Sequence, residues 1–130
     1  MDENRSKTIL IVDDDEDVLN YLTDILKKYK FEVISTPHGA EVLNLAIKHQ
    51  PDLIILDVVL PDMLGGEVSR RLSHQISTAK IPIIFLSGLN TKEDEEIARK
   101  AGNYFILAKP VTKEELLTAI NRVLQGKDPR

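Results

Sequence analysis

The sequence predicts an α/β fold, a (βα)5 doubly wound parallel sheet. Two observations predict it. Short apolar runs of strand length alternate five times with longer segments of helical periodicity. Strands separated by helices need right-handed crossovers, which make neighbouring strands parallel and place helices on both sheet faces. A third observation gives the fold a purpose. Four of the five strands end in a chemically capable residue: Asp13 and Asp14, Asp57, Ser87 and Lys109. In an open parallel sheet those ends share one edge, where ligands bind.

The first strand is the β-rich run at residues 8–12, followed by five acids at 13–17. Val18, Leu19, Leu22, Ile25, Leu26 and Tyr29 then trace a helical stripe, with acids at its start and Lys27, Lys28 and Lys30 at its end. Residues 31–35 form a second strand and residues 36–39 a turn. Residues 40–48 are apolar over much of their surface and are expected to form a well-buried second helix. Pro51-Asp52 leads into the central strand, an uninterrupted apolar run at 53–56 that closes on Asp57. An acid at the end of a strand buried on both faces is not put there by folding. A loop with two adjacent glycines follows at 61–66, and Val68, Leu72 and Ile76 mark a third helix at a spacing of four.

Residues 81–86 form the fourth strand, with a proline near its start, and end in Ser87-Gly88. Residues 91–101 read as a fourth helix, with acids first, bases last and a thin apolar stripe. The fifth strand, residues 104–108, ends in Lys109-Pro110. Thr112 caps the fifth helix, and Glu115 three residues on completes a capping box. Leu116, Leu117, Ile120, Val123 and Leu124 give that helix its buried face.

A chain of 130 residues suits one domain. We expect a disordered segment at 1–6, a folded domain at 7–125 and a tail at 126–130. The net charge of −4 argues against non-specific nucleic-acid binding. There is no cysteine, hence no disulfide or thiol chemistry. No apolar stretch approaches the roughly 20 residues that span a bilayer. The polar start shows no signal peptide, so a cytoplasmic location is expected. His38, His49 and His74 fall on different elements and are assigned to the surface.

Carboxylates gathered within a few ångströms repel by roughly 4 kcal/mol per pair at an effective dielectric near 20. They need a cation, and an all-oxygen donor set without His or Cys points to Mg²⁺. Lys109 adds a fixed positive charge and Ser87 a hydroxyl donor. Together these suit a phosphoryl group moving onto a carboxylate nucleophile to give an acyl phosphate. For Asp13 and Asp14 the plainer role is capping of the first helix, for which one acid would suffice.

The motifs ILIVDDDEDV at 9–18, PDLIILDVVLPDMLGG at 51–66, PIIFLSG at 82–88 and AKP at 108–110 together resemble a response-regulator receiver domain. The resemblance covers residues 7–124. It implies a flavodoxin-like strand order 2-1-3-4-5 and a cis peptide at Lys109-Pro110. It implies Asp57 as phosphoacceptor for a histidine kinase or phosphotransfer protein, with a downstream effector as second partner. Asp14, Asp57 and the backbone carbonyl of Val59 would hold Mg²⁺, and Asp13 would act through a coordinated water. Ser87 and Lys109 would bond the phosphoryl group. Such a domain is a regulatory switch with slow self-catalysed phosphotransfer, not an enzyme. Its switch positions are Ser87 and Ile106, and Ile106 stands where the family usually has an aromatic ring. Leu64 stands where an acid is common, and Val111 where a larger side chain is common. Val59 and Leu89 occupy the two positions that influence hydrolysis in receivers. The signal is expected to leave through the fourth helix, fifth strand and fifth helix, which is also the place for a homodimer contact.

Two rival readings remain at this point. Residues 9–15 also fit a haloacid-dehalogenase-like phosphatase, with Asp13 as nucleophile and Asp15 as acid–base. Alternatively, the chain is an interaction domain that works without phosphorylation.

Overall fold

A computed structural model of the protein describes residues 6–88, Lys92, Glu96 and residues 104–126. Five parallel strands form one sheet in the order β2-β1-β3-β4-β5. They are β1 (Thr8–Val12), β2 (Glu32–Thr36), β3 (Leu53–Asp57), β4 (Ile83–Ser87) and β5 (Tyr104–Ala108). Helices α1 (Glu16–Lys28), α2 (Val42–His49), α3 (Gly65–Ser73) and a C-terminal helix (Lys113–Leu124) connect or follow them.

Alternation along each strand sorts the core into two layers. Ile9, Ile11, Leu53, Ile55, Ile84 and Leu86 meet Leu22 and Leu26 of α1 and Leu116 and Ile120 of the C-terminal helix. Leu10, Val12, Ile54, Leu56 and Phe85 meet Val42 and Ala46 of α2 and Val68 and Leu72 of α3. All of β3 is buried, as the uninterrupted apolar run requires. The register then fixes the working edge. Val12 pairs with Leu56, Asp57 with Leu86, and Ser87 with Ala108. Asp13, Asp57, Ser87 and Lys109 therefore leave the sheet side by side.

Local chemistry sets the ends of the elements. Asp15 caps α1 by accepting from the Asp17 amide at 2.9 Å. Lys30 (φ 73°) and Gln50 (φ 47°) take left-handed conformations that reverse the chain after α1 and α2. The expected capping box is present: the Glu115 amide donates to Thr112 Oγ1 at 3.1 Å, and the Thr112 amide to Glu115 Oε1 at 2.9 Å. The Lys109-Pro110 peptide is cis.

Three expectations need correction. The segment expected as one helix from residue 40 begins as a 3-10 turn, Gly39–Glu41, before α2. Only Val42 and Ala46 of α2 are buried and Ile47 is 42% exposed, because an eight-residue helix turns one face inward whatever its composition. Ile76 lies beyond α3 and is fully solvated: the Thr78 hydroxyl takes the Leu72 carbonyl at 2.6 Å and turns the chain away. Strand β4 starts at Ile83, not 81, since Pro82 has no amide to give and offers only its carbonyl, to the Ile54 amide. The expected fourth helix lies outside the described residues except for Lys92 and Glu96, both helical and exposed. Residues 1–5, the tail beyond Gly126 and Leu89 also lie outside them.

Removing the cap of the C-terminal helix tests this assignment. Thr112→Ala is expected to cost about 1 kcal/mol in urea unfolding, whereas Ile76→Ser changes stability by less than about 0.5 kcal/mol.

Candidate cation and phosphoryl site

Lys109 is the centre of the site. Its Nζ lies 2.7 Å from Asp13 Oδ2 and 3.0 Å from Asp57 Oδ2, so β5 supplies the ammonium that joins the ends of β1 and β3. The remaining oxygens are fixed from the backbone. Asp13 Oδ1 accepts from the Asp15 amide at 2.9 Å, and Asp57 Oδ1 from the Val59 amide at 3.1 Å. Asp13 and Asp57 are buried, Asp14 is exposed and Ser87 is buried. Capping of α1 falls to Asp15, which leaves Asp13 and Asp14 for other work.

Burial pushes the Asp57 carboxyl above its ordinary value, and the negative charge of Asp13 adds to this. The hydrogen bonds from Lys109 and Val59 only partly offset it. Burial pulls the Lys109 ammonium down, but its bonds to Asp13 and Asp57 outweigh that and hold it above its ordinary value. The ammonium is therefore charged throughout the neutral range. For Asp57 the sign is the reverse of an ordinary ion-paired acid. Its ionisation costs stability as pH rises from the usual carboxylate value through the raised one.

One carboxylate oxygen each from Asp13, Asp14 and Asp57 lie within 4.8 Å of one another. Asp13 Oδ2 is buried and, among the described residues, takes no aligned hydrogen bond, its contact with Lys109 being an ion pair. Three carboxylates against one ammonium leave the cluster short of positive charge. An all-oxygen set with surplus negative charge fits a hard divalent cation such as Mg²⁺.

Sequence reasoning brought together Asp13, Asp14, Asp57, Ser87 and Lys109, and the structure puts all five at one edge. The side chain of Val59 is 49% exposed while its amide faces Asp57. Ile106 sits lower on β5, paired with Phe85 and packed against the α2 and α3 layer. His38, His49 and His74 are exposed, as expected. Two residues were missed. A Cβ on Gly65 would lie 2.6 Å from the Asp57 carbonyl oxygen, so only glycine lets α3 start against the site loop. Asp62 accepts from the amides of Gly39 and Ala40 at 3.0 Å each. The glycine pair at 65–66 was a visible signal for the first. Nothing local marks the second.

Comparison with known proteins places this edge in a family. Residues 9–121 match the response regulator receiver domain. The chain is 34% identical over 118 residues to protein PilH of Pseudomonas aeruginosa, covering 91% of this chain and 98% of PilH. It is 33% identical over 127 residues to a probable cyclic di-GMP phosphodiesterase of Vibrio cholerae, covering 98% of this chain but 29% of that protein. The structure of chemotaxis protein CheY4 of Vibrio cholerae superposes with a TM-score of 0.86 at 29% identity, covering 92% of this chain and 99% of CheY4. The chain belongs to the response regulator receiver domains, the regulatory modules of two-component signalling. The phosphatase reading is not favoured, and Asp15, its expected acid–base, is occupied in capping α1. Among the described residues no helix is long and apolar enough to cross a membrane.

Two outcomes test the site. Mg²⁺ is expected to raise the melting temperature near pH 7, in proportion to the logarithm of its concentration above Kd. The gain should shrink toward about pH 4, because a proton on Asp57 competes with the cation. Asp13→Asn should lose most of it. An equal gain at both pH values would contradict the assignment. Gly65→Ala should destabilise by about 1–3 kcal/mol through overpacking against the Asp57 backbone.

Proposed function

We propose that Asp57 accepts a phosphoryl group from the phosphohistidine of a sensor kinase or phosphotransfer protein. One observation carries this reading: Asp57 is a buried carboxylate held between the Lys109 ammonium and the Val59 amide. An Asp57 oxygen attacks phosphorus while the bond from phosphorus to the imidazole nitrogen breaks. The electron pair returns to the ring, which takes a proton. Asp14, Asp57 and the Val59 carbonyl would hold Mg²⁺, and Asp13 would act through a bound water. The cation supplies charge neutralisation that lets the phosphoryl oxygens approach a cluster of acids.

The chain's own groups do the rest. Before transfer, Lys109 holds Asp57 and Asp13 apart from direct repulsion. After transfer, its ammonium pairs with a phosphoryl oxygen, and the Ser87 hydroxyl turns to donate to another. Ser87 and Ile106 lie on the same face of adjacent strands by the period of two, since Phe85, two before Ser87, pairs with Ile106. We read them as the switch positions. A branched aliphatic chain replaces the ring that receivers usually turn, so the change passes by repacking against Phe85. The receiving surface is the fifth strand, the C-terminal helix and the fourth-helix segment, where an effector or a second copy would bind. We propose a cytoplasmic location for this domain.

Acetyl phosphate with Mg²⁺ provides the test, read by intact-mass spectrometry. The wild type is expected to gain one phosphoryl group and Asp57→Asn none. Labelling that survives in Asp57→Asn but not in Asp13→Asn would restore the phosphatase reading. A phosphorylation-independent interaction domain would show no labelling even of the wild type. A second expectation concerns lifetime. Val59 and Leu89 offer no group to orient an attacking water, so the phosphoryl group should persist once excess donor is removed. Rapid loss from the purified protein would count against it.

A further inference from the structure

We propose that Asp62 is a positioning residue for the cation site, strapping the loop that carries Val59 to the turn after β2. The inference rests on the reading above in which the Val59 carbonyl is a cation ligand.

The loop after β3 is closed at its base. Val59 bridges Leu64, and the Gly65 amide donates to the Val58 carbonyl at 2.7 Å. Its tip is packed by Leu60 and Met63 and held also from outside. Asp62 Oδ1 accepts from the Gly39 amide and Oδ2 from the Ala40 amide, each at 3.0 Å. Those amides open the turn Gly39–Glu41, where His38 makes no side-chain cap of its own. A carboxylate more than twenty residues away in sequence therefore does the capping. Both amide bonds, Ala40 first, hold the Asp62 carboxyl below its ordinary value, so the strap is anionic at neutral pH.

A second observation is independent of the hydrogen bonds. A Cβ on Gly39 would stand 3.1 Å from Leu60 Cδ1, 3.1 Å from Met63 Cβ and 3.2 Å from Val68 Cγ2. The loop presses on the turn on both sides of Asp62, and the bare backbone of Gly39 makes room for it.

The turn is itself tied to the site. The His38 amide donates to Thr36 Oγ1 at 3.1 Å, and the Thr36 hydroxyl donates to Glu41. The Thr36 carbonyl accepts from the Asp13 amide at 3.4 Å. Contacts run from Asp13 through Thr36 and the turn at 39–41 to Asp62, and the loop itself carries them from Asp62 back through Val59 to Asp57. The two ends of this path are the acids that the cation would join. A backbone carbonyl on a loop is a useful ligand only if the loop is held. Groups behind a metal ligand set affinity by holding it in place.

The test separates affinity from folding. Half-saturating Mg²⁺ is measured by thermal shift and by the Mg²⁺ dependence of labelling with acetyl phosphate. Asp62→Ala is expected to raise it about tenfold while leaving the rate at saturating Mg²⁺ unchanged. Asp62→Asn, which keeps one acceptor oxygen, should fall between that and the wild type. Gly39→Ala keeps the carboxylate but pushes the loop outward, and should also weaken Mg²⁺. It and Asp62→Asn carry the test if Asp62→Ala does not fold. Variants that melt earlier in chelator yet bind Mg²⁺ as the wild type does would overturn the inference, because Asp62 would then serve stability alone. Wild-type protein that binds no Mg²⁺ would instead overturn the underlying site reading, and this inference with it.

Discussion

The contact on which the rest depends is the Lys109 ammonium between Asp13 and Asp57. Two buried carboxylates at adjacent strand ends would otherwise repel across a poorly screened edge. The lysine comes from the far side of the sheet, so the compensation exists only when β5 is in register with β4. The amide of Lys109 donates to the Ser87 carbonyl at 2.8 Å, which continues that register past the end of the strands. Folding and site assembly are therefore one event. The compensation is also incomplete. Asp57 remains a raised, destabilising acid, and Asp13 keeps an oxygen without an aligned donor. A site left short of positive charge is a site prepared for a cation and a phosphoryl group.

The same incompleteness gives the domain a way to switch. Were Asp57 phosphorylated as proposed, Lys109 would have to change partner. Its neighbours Pro110 and Val111 lead directly into the capped C-terminal helix, and the Tyr21 hydroxyl of α1 donates to the Val111 carbonyl at 3.0 Å. Ser87 lies one strand away, above the Phe85–Ile106 pair. A change at one carboxylate thus meets several elements without crossing the core.

Much of this was legible in the sequence, for a physical reason. Strands buried on both faces must be apolar, so an acid such as Asp57 at the end of β3 stands out. The 3.6-residue stripe of α1 and the Thr112–Glu115 box are local patterns, and they held. What was hidden depends on contacts distant in sequence. Which acid caps α1 is decided by burial: Asp13 goes inward, so Asp15 caps. The 3-10 turn before α2 is capped by Asp62, which reaches it from another loop. Ile76 matched the spacing of Val68 and Leu72, but Thr78 ends the helix before that turn of the pattern is used. Gly65 was visible as a residue and invisible as a close approach.

The most direct measurement is a double-mutant cycle between Lys109 and Asp57 in chelator, by urea unfolding near neutral pH. Lys109→Met alone should destabilise the fold, because it strands two buried carboxylates, and should recover stability as pH falls and Asp57 protonates. Adding Asp57→Asn should restore most of the loss. Losses that simply add, with no dependence on pH, would contradict the claim that this lysine holds the site together.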